Sequence, residues 1–429
     1  MKNIFVLGLD DFNLAEMRAL PAAVDYRLHP LFRHGEVKAV PDFPVRQLYE
    51  GAIARLERFA EPIDAIVGYW DFPVSTLLPL LCRHFGLPTP SFEAVLKCEH
   101  KYWSRLEQRR VIPEHIPPFG VVDPFSERFR ERIDIDYPFW IKPVRAASSH
   151  LGFMVRNPRD LERAIQAIRA KIGRFARPFN YLLQFAELPP EIAAIDGHHC
   201  IVEGLISRGR QCTLEGYVYG GEVRIYGAVD SIREGRHRSC FSRYQYPSSL
   251  PGRVQQRMSE IVARFLNGIG FDHGPFNAEF YWDRRHERIW LLEINNRISK
   301  SHCPLFRHVD GLSHHQVMLD LGLGKRPDFP HRQGAYRYAA KFMWRRYRDA
   351  RVAKVPNEAE LRKLGERFPS AQVQLHVHEG MRLSELADQD SYSYEIAVIF
   401  LGADSQKSLL QKYARLRRSI PLEMAPLEA

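Results

Sequence analysis

Two strand-like segments, residues 276–282 and 289–297, carry Glu279, Glu293, Asn295 and Arg297 where a pleated strand would ordinarily hold apolar side chains. Both are rich in aromatic and aliphatic residues, and the polar segment 283–288 between them has the composition of a hairpin loop. A hairpin centred near His286 sets Glu279 opposite Glu293. Directly opposed carboxylates repel, so that register makes sense mainly with a divalent cation between them. Alternation along the second strand sends Glu293, Asn295 and Arg297 to one face and Leu292 and Ile294 to the other. The competing reading is a solvent-facing hairpin whose acids pair with Arg297 or with the loop arginines. Other segments must separate the two.

The chain has 429 residues, 45% of them hydrophobic, enough to bury a large core and to divide into two or three lobes. Its first apolar run, residues 4–9, stops at two acids and reads as a buried strand rather than a secretory signal. No apolar stretch approaches the roughly 20 residues needed to cross a bilayer, so no membrane association is expected. The six cysteines show no C-x-x-C spacing, which points to reduced thiols and a cytoplasmic location rather than a zinc ribbon. A net charge of +10 could attract nucleic acid, yet the arginines are interleaved with acids, and only the basic-aromatic run 341–348 merits testing as such a surface. Nucleic acid is therefore not an expected partner.

Strand and helix signals alternate over residues 1–97 (strands at 4–9 and 65–69, helices at 44–59 and 74–85), which implies a small parallel α/β domain. A helical stretch at 92–110 leads onward. Asn157-Pro158 opens a helix whose Leu161, Ile165, Ile168 and Ile172 recur at helical spacing. Strands at 198–207, 213–219 and 222–231, the last two joined at Gly220-Gly221, and a helix at 254–267 describe an antiparallel sheet covered by helices. Beyond residue 330 a strand, a helix near 358–368, strands at 372–377 and 394–401 and a helix at 405–418 suggest a small α+β lobe that serves packing. The expected divisions are residues 1–97, 98–330 and 331–429.

Residues 141–152 place Lys142 at a strand end before a loop of small and hydroxyl residues, Ser148 and Ser149 among them, that closes on Gly152. Such a loop can turn backbone N–H groups toward phosphate oxygens, with Lys142 adding a point charge, although Ala-Ser-Ser also occurs in ordinary hairpin turns. Lysine, small-residue loop and an acid pair ending in E-x-N-x-R stand here in one order. That order resembles the ATP-grasp superfamily, most nearly its biotin-carboxylase-like and carboxylate–amine or amino-acid ligase-like members. The resemblance implies a parallel amino-terminal domain preceding a two-lobed, antiparallel-sheet ATP-binding domain, and a small carboxy-terminal lobe.

It further implies that Lys101 and Lys142 approach the nucleotide, and that Ser148, Ser149 and Gly152 lie in the loop over the phosphates. Glu203 and the backbone at Leu205 would meet the adenine. Gln211 stands where the family often has a ribose-binding Glu, a departure that puts the ribose contact in question. Glu279, Glu293 and Asn295 match magnesium ligands, for two ions with Mn2+ as an alternative, and Arg297 matches the arginine facing the transferred phosphate. Lys101 also has the plainer reading of a solvated helix face. His302, His308, His314 and His315 are expected to be core or surface histidines, since magnesium prefers oxygen.

The resemblance therefore implies an ATP-dependent ligase that joins a carboxylate to an amine through an acyl phosphate, with Arg297 and Lys142 as catalytic residues and small organic acids or amino acids as substrates. Homodimerisation is an option it leaves open. The alternatives are bicarbonate activation of the biotin-carboxylase type with a separate carrier, and ATP binding without turnover. A substrate pocket is expected near Arg297, Asp230 and residues 241–246.

Overall fold

The apolar run at the amino terminus becomes β1 (Lys2–Leu9), buried along its length except at Lys2 and placed between two parallel neighbours, β2 (Tyr26–Arg33) and β3 (Ala65–Val67). A strand covered on both faces reads as continuous apolar sequence, which is why β1 was legible. The edge strand β2 was not, because it mixes exposed Arg27 and Pro30 with buried residues, and proline is tolerated where one edge needs no partner. The chain leaves β1 for β2 on one side and pairs β3 on the other, so a crevice opens at the carboxyl ends of β1 and β3. Gly8 sits there with φ 79°, and a Cβ on it would lie 3.0 Å from the Trp70 ring. Its carbonyl accepts a 2.7 Å hydrogen bond from Trp70 Nε1. The computed structural model describes residues 1–38, 43–146, 150–206, 209–233, 240–386, 389 and 393–427.

The helical stretch at 92–110 is two helices, Phe92–Glu99 and Lys101–Val111, broken at His100. His100 has an extended backbone (ψ 97°) and caps the second helix, its Nδ1 accepting from Trp103 N at 3.3 Å. Burial lowers its pKa to about 4, so the ring stays neutral and able to accept. Histidine is an uncommon cap, and the break carries no Ser, Thr, Asp or Asn to announce it.

A four-stranded antiparallel sheet follows, in the order β4 (Phe119–Val122), β7 (Cys200–Gly204), β5 (Phe139–Pro143), β6 (Phe153–Val155). The helix Pro158–Lys171, capped by Asn157, packs Leu161, Ile165 and Ile168 on it, as their spacing predicts.

The largest sheet has eight strands. Its members are β8 (Arg210–Tyr219), β9 (Glu222–Ile232), β10 (Arg243–Tyr246), β11 (Gly274–Asp283), β12 (Arg288–Asn295), β13 (Tyr338–Arg346), β15 (Gln372–Leu375) and β16 (Tyr394–Ala403). Their order is β12-β11-β8-β9-β10-β13-β16-β15. Gly220 and Gly221, with φ 59° and 76°, make the two-residue turn between β8 and β9. The helix Gly252–Gly268 buries Met258, Ile261, Val262 and Phe265 on this sheet. Strands beyond residue 330 continue the same sheet through β13, while β14 (Arg351–Lys354) and β17 (Glu423–Ala425) form a separate ribbon. The run 341–348 proves to be mostly β13: Phe342 and Trp344 enter the core, and Arg345 pairs with Glu395 at 2.8 Å. Its aromatic-basic alternation is therefore that of a sheet strand.

All six cysteines are buried. Among the described residues no helix is long and apolar enough to cross a membrane.

Candidate active site

The register of β11 and β12 sets Glu279 opposite Glu293 and Asn277 opposite Asn295, with a bulge immediately after Glu279. The intervening Ala278 and Ile294 point the other way, into the core. Burial, and then Glu293 across the ladder, push the Glu279 carboxyl up to about 7. Gln211 Nε2 donates to Glu279 Oε2 at 3.0 Å, while Gln211 Oε1 is buried without a hydrogen-bond partner. Asn295 Nδ2 donates to Asn277 Oδ1 at 2.9 Å, and Asn277 Nδ2 donates to the Arg297 carbonyl at 2.9 Å. Asn277 was passed over in the sequence. Its signal was a polar residue two before Glu279, hence on the same face.

This donor set suits a hard cation. Two carboxylates and an amide oxygen supply only part of an octahedral shell, leaving positions for phosphate oxygens and water. Among the described residues no cluster of three or more His, Cys, Asp or Glu offers a metal cage. The candidate histidines are engaged elsewhere: His302 Nδ1 lies 2.8 Å from buried Glu215, His314 Nε2 meets the Ser299 carbonyl at 3.0 Å, and His315 meets Ser313 and Asn13. Burial brings His308 down to about 4.

Lys142, on β5, and Glu203, on β7, meet at 2.7 Å. Arg105 from the helix Lys101–Val111 takes the other Glu203 oxygen at 2.6 Å. Burial alone would raise the Glu203 pKa, but Arg105 and Lys142 together hold it near 2. Its side chain thus faces two cations, and its backbone is paired on both sides by β4 and β5. Past Gly204 the strand ends, so Leu205 has no ladder partner in that sheet. Arg105 also donates to the carbonyls of Leu291 (3.1 Å) and Leu292 (2.9 Å), and His115 Nδ1 meets that of Ile289 at 3.0 Å, all on β12.

Lys101 opens its helix, and its Nζ donates to the Ala146 carbonyl at 2.9 Å while its backbone N–H donates to Val144. It therefore braces the stem of the Lys142 loop. Burial lowers its pKa to about 8, against support from Glu293. Ser148 and Ser149 lie outside the described residues; Gly152 stands just before β6.

Arg297 follows β12 and reaches the amino-terminal domain, its Nη2 lying 3.3 Å from Asp71. Arg145 takes the other Asp71 oxygen at 2.9 Å and approaches Glu99 at 3.4 Å, and Thr76 Oγ1 donates to Glu99. Burial disfavours the Asp71 charge, but Arg297 and Arg145 outweigh it and hold the carboxyl well below its usual range. Asp71, Arg145 and Arg105 were not anticipated. Asp230, expected to border the substrate pocket, instead accepts from Ser248, Ser249 and Arg210 and fixes a turn.

Residues 135–303, which span β5, the Glu203 strand and the Glu279/Glu293 hairpin, match the family model of the ATP-grasp domain. The chain carries an ATP-grasp domain. Its fold is similar over 100% of its length to an L-amino acid ligase structure from Bacillus licheniformis, covering 99% of that chain, with TM-score 0.72 and 15% identity. A D-alanine–D-alanine ligase from Synechococcus sp. is 24% identical over 197 residues, 44% of this chain and 49% of that protein. The carbamoyl phosphate synthase large chain, C-terminal section, of Methanopyrus kandleri is 24% identical over 201 residues, 46% of this chain and 32% of that protein. The aligned part thus spans about a third of one curated relative and about half of the other. Glu279, Glu293, Asn295 and Arg297 all fall inside the ATP-grasp match, whereas Lys101 and Asp71 lie before it.

Proposed function

We propose that the protein is an ADP-forming carboxylate–amine ligase. The observation that carries this reading is the Glu279/Glu293 pair, two acids opposed on one sheet face with Lys101, Arg145 and Arg297 close enough to shift the charges among them. A carboxylate oxygen of the acid attacks the γ-phosphorus, the bond to the β-phosphate bridging oxygen breaks, and ADP leaves. The amine then adds to the carbonyl carbon of the acyl phosphate, inorganic phosphate departs with the C–O bonding pair, and the nitrogen loses a proton. Magnesium, two ions in this reading, would neutralise the charge spread over the phosphates.

Glu279, Glu293 and Asn295 supply its oxygen ligands. Lys142, on the strand that enters the loop, and Lys101, which bonds the Ala146 carbonyl, offer positive charge to the nucleotide. Arg297, held at a set angle by Asp71, faces the reacting group. The engaged Glu203 carboxylate makes the Leu205 backbone the better candidate for the adenine edge, with Glu203 holding Lys142 in place. Gln211, which touches Glu279, orients a metal ligand in this reading rather than reaching the ribose.

The test is a phosphate-release screen of paired carboxylates and amines with mass detection of the amide. Glu293→Ala is expected to lower coupled release on the order of 100-fold at unchanged folding. Undiminished turnover in that variant overturns the metal assignment, and the absence of both ADP and amide across the screen overturns the ligase reading.

A further inference from the structure

Among the described residues, Lys300 and Lys341 form no ion pair. Lys300 begins the single turn Lys300–His302, three residues past Arg297, and its ammonium lies 3.8 Å from the centre of the Trp70 ring. His34 stacks on the same ring at 3.7 Å and 12°. Two groups that close to one ring centre must take opposite faces, so the indole is sandwiched and Lys300 is held in place. Lys341 stands in β13 directly opposite Tyr244 of β10, its ammonium 5.7 Å from that ring. Among the described residues neither lysine makes a hydrogen bond or an ion pair.

The nearest acids, Asp10 for Lys300 and Glu395 for Lys341, favour the charged lysines through space without forming an ion pair with them. Asp10 accepts from Asn13 N at 2.9 Å and from Tyr69 OH at 2.9 Å. Glu395 pairs with Arg345 at 2.8 Å and lies 3.6 Å from His376. Tyr244, the ring beside Lys341, packs edge-on against His302 of the turn that Lys300 begins, 5.0 Å between ring centres, and the charges of Lys341 and Arg297 disfavour that of Lys300 while Asp10 favours it. Both lysines are half-buried, and burial lowers the pKa of each. A recessed ammonium without a partner is unfavourable unless something that binds there supplies negative charge. Lys300 lies on Trp70, which bonds Gly8 at the carboxyl ends of β1 and β3, where open parallel sheets receive ligands.

We propose that Lys300 and Lys341 bind a second anionic group of the substrate, a carboxylate or a phosphoryl group carried in addition to the carboxylate that is activated. This rests on the ligase reading, in which Lys101 and Lys142 serve the triphosphate. The substrate class is then acidic: a dicarboxylate or a phosphorylated acid. The aromatic partners hold the two ammoniums at fixed positions without neutralising them.

The test is calorimetric binding to the full chain with MgADP present, using matched pairs: L-glutamate against L-glutamine, succinate against succinamate, and O-phospho-L-serine against L-serine. The wild-type protein is expected to bind the more anionic member of at least one pair about 10-fold or more tightly than its counterpart, as charge-assisted hydrogen bonds would give. The pair that shows it separates a carboxylate from a phosphoryl source. Lys300→Met and Lys341→Met should each remove most of that preference while leaving MgADP affinity within about two-fold, and Lys300→Arg should restore part of it. No charge preference in any pair, a preference that survives both variants, or an equal loss of MgADP affinity overturns the proposal. Because the readout is binding, a charge preference abolished by the variants supports this site even where phosphate release fails and the ligase reading falls.

Discussion

Lys101, proposed to serve the nucleotide, shows what burial does to a lysine before a phosphate approaches it. Among the described residues its ammonium donates only to a neutral carbonyl, and burial lowers its pKa to about 8. Below that value the ammonium is charged and attracts phosphate; above it the charge is lost. Bound phosphates raise the pKa again, so binding takes up a proton in the interval between. ATP affinity is therefore expected to weaken as pH rises from about 7.5 to about 9.5, and Lys101→Arg should flatten the decline because a guanidinium stays charged. Titration calorimetry in buffers of different ionisation enthalpy measures the proton uptake, and a flat wild-type profile would contradict the role. Legibility at this scale followed sequence distance. Glu279 and Glu293 break an apolar alternation locally and could be read. Asp71, Arg145 and Arg105 could not, because their partners lie 74, 98 and 226 residues away and only the folded chain brings them together.

Among the elements, the helix Lys101–Val111 does more than its amphipathic pattern suggests. Arg105 on that helix joins β7 through Glu203 to β12 through two carbonyls. Removing Arg105 leaves Glu203 paired with Lys142 alone and takes the donor from two β12 carbonyls, so Arg105→Met is expected to destabilise the protein by about 2–3 kcal/mol. Adding Glu203→Gln should cost less than the sum of the two single changes. Denaturant midpoints of the four proteins test this, and simple additivity would show that the pair is not coupled. Element types were legible wherever periodicity was strong, as in the helix Pro158–Lys171 and the strands β11 and β12. They were not where an edge strand carried proline, as in β2, or where a buried histidine took the place of an ordinary cap.

At the scale of the whole molecule, Asp71 is a clasp between the amino-terminal domain and the hairpin. It holds Arg297 and Arg145 at once, so Asp71→Asn leaves both guanidinium groups less firmly aimed. Phosphate release is expected to fall on the order of 10-fold through kcat, with KM for ATP within about two-fold. A variant with unchanged kcat would show that Arg297 is oriented by something else. The continuity of the large sheet across the expected boundary near residue 330 could not be seen in the sequence, because which strand neighbours which is decided by tertiary packing. One consequence concerns β12, the first strand of that sheet. An uncovered strand at the rim of a sheet invites a foreign chain to add on, and its outward carbonyls are the docking points. Arg105 and His115 occupy three of them, at Ile289, Leu291 and Leu292. The strand that presents Glu293 is thereby closed to strand addition along its outer side, and the protein can keep an acidic, apolar-backed hairpin at its periphery without offering a template for self-association.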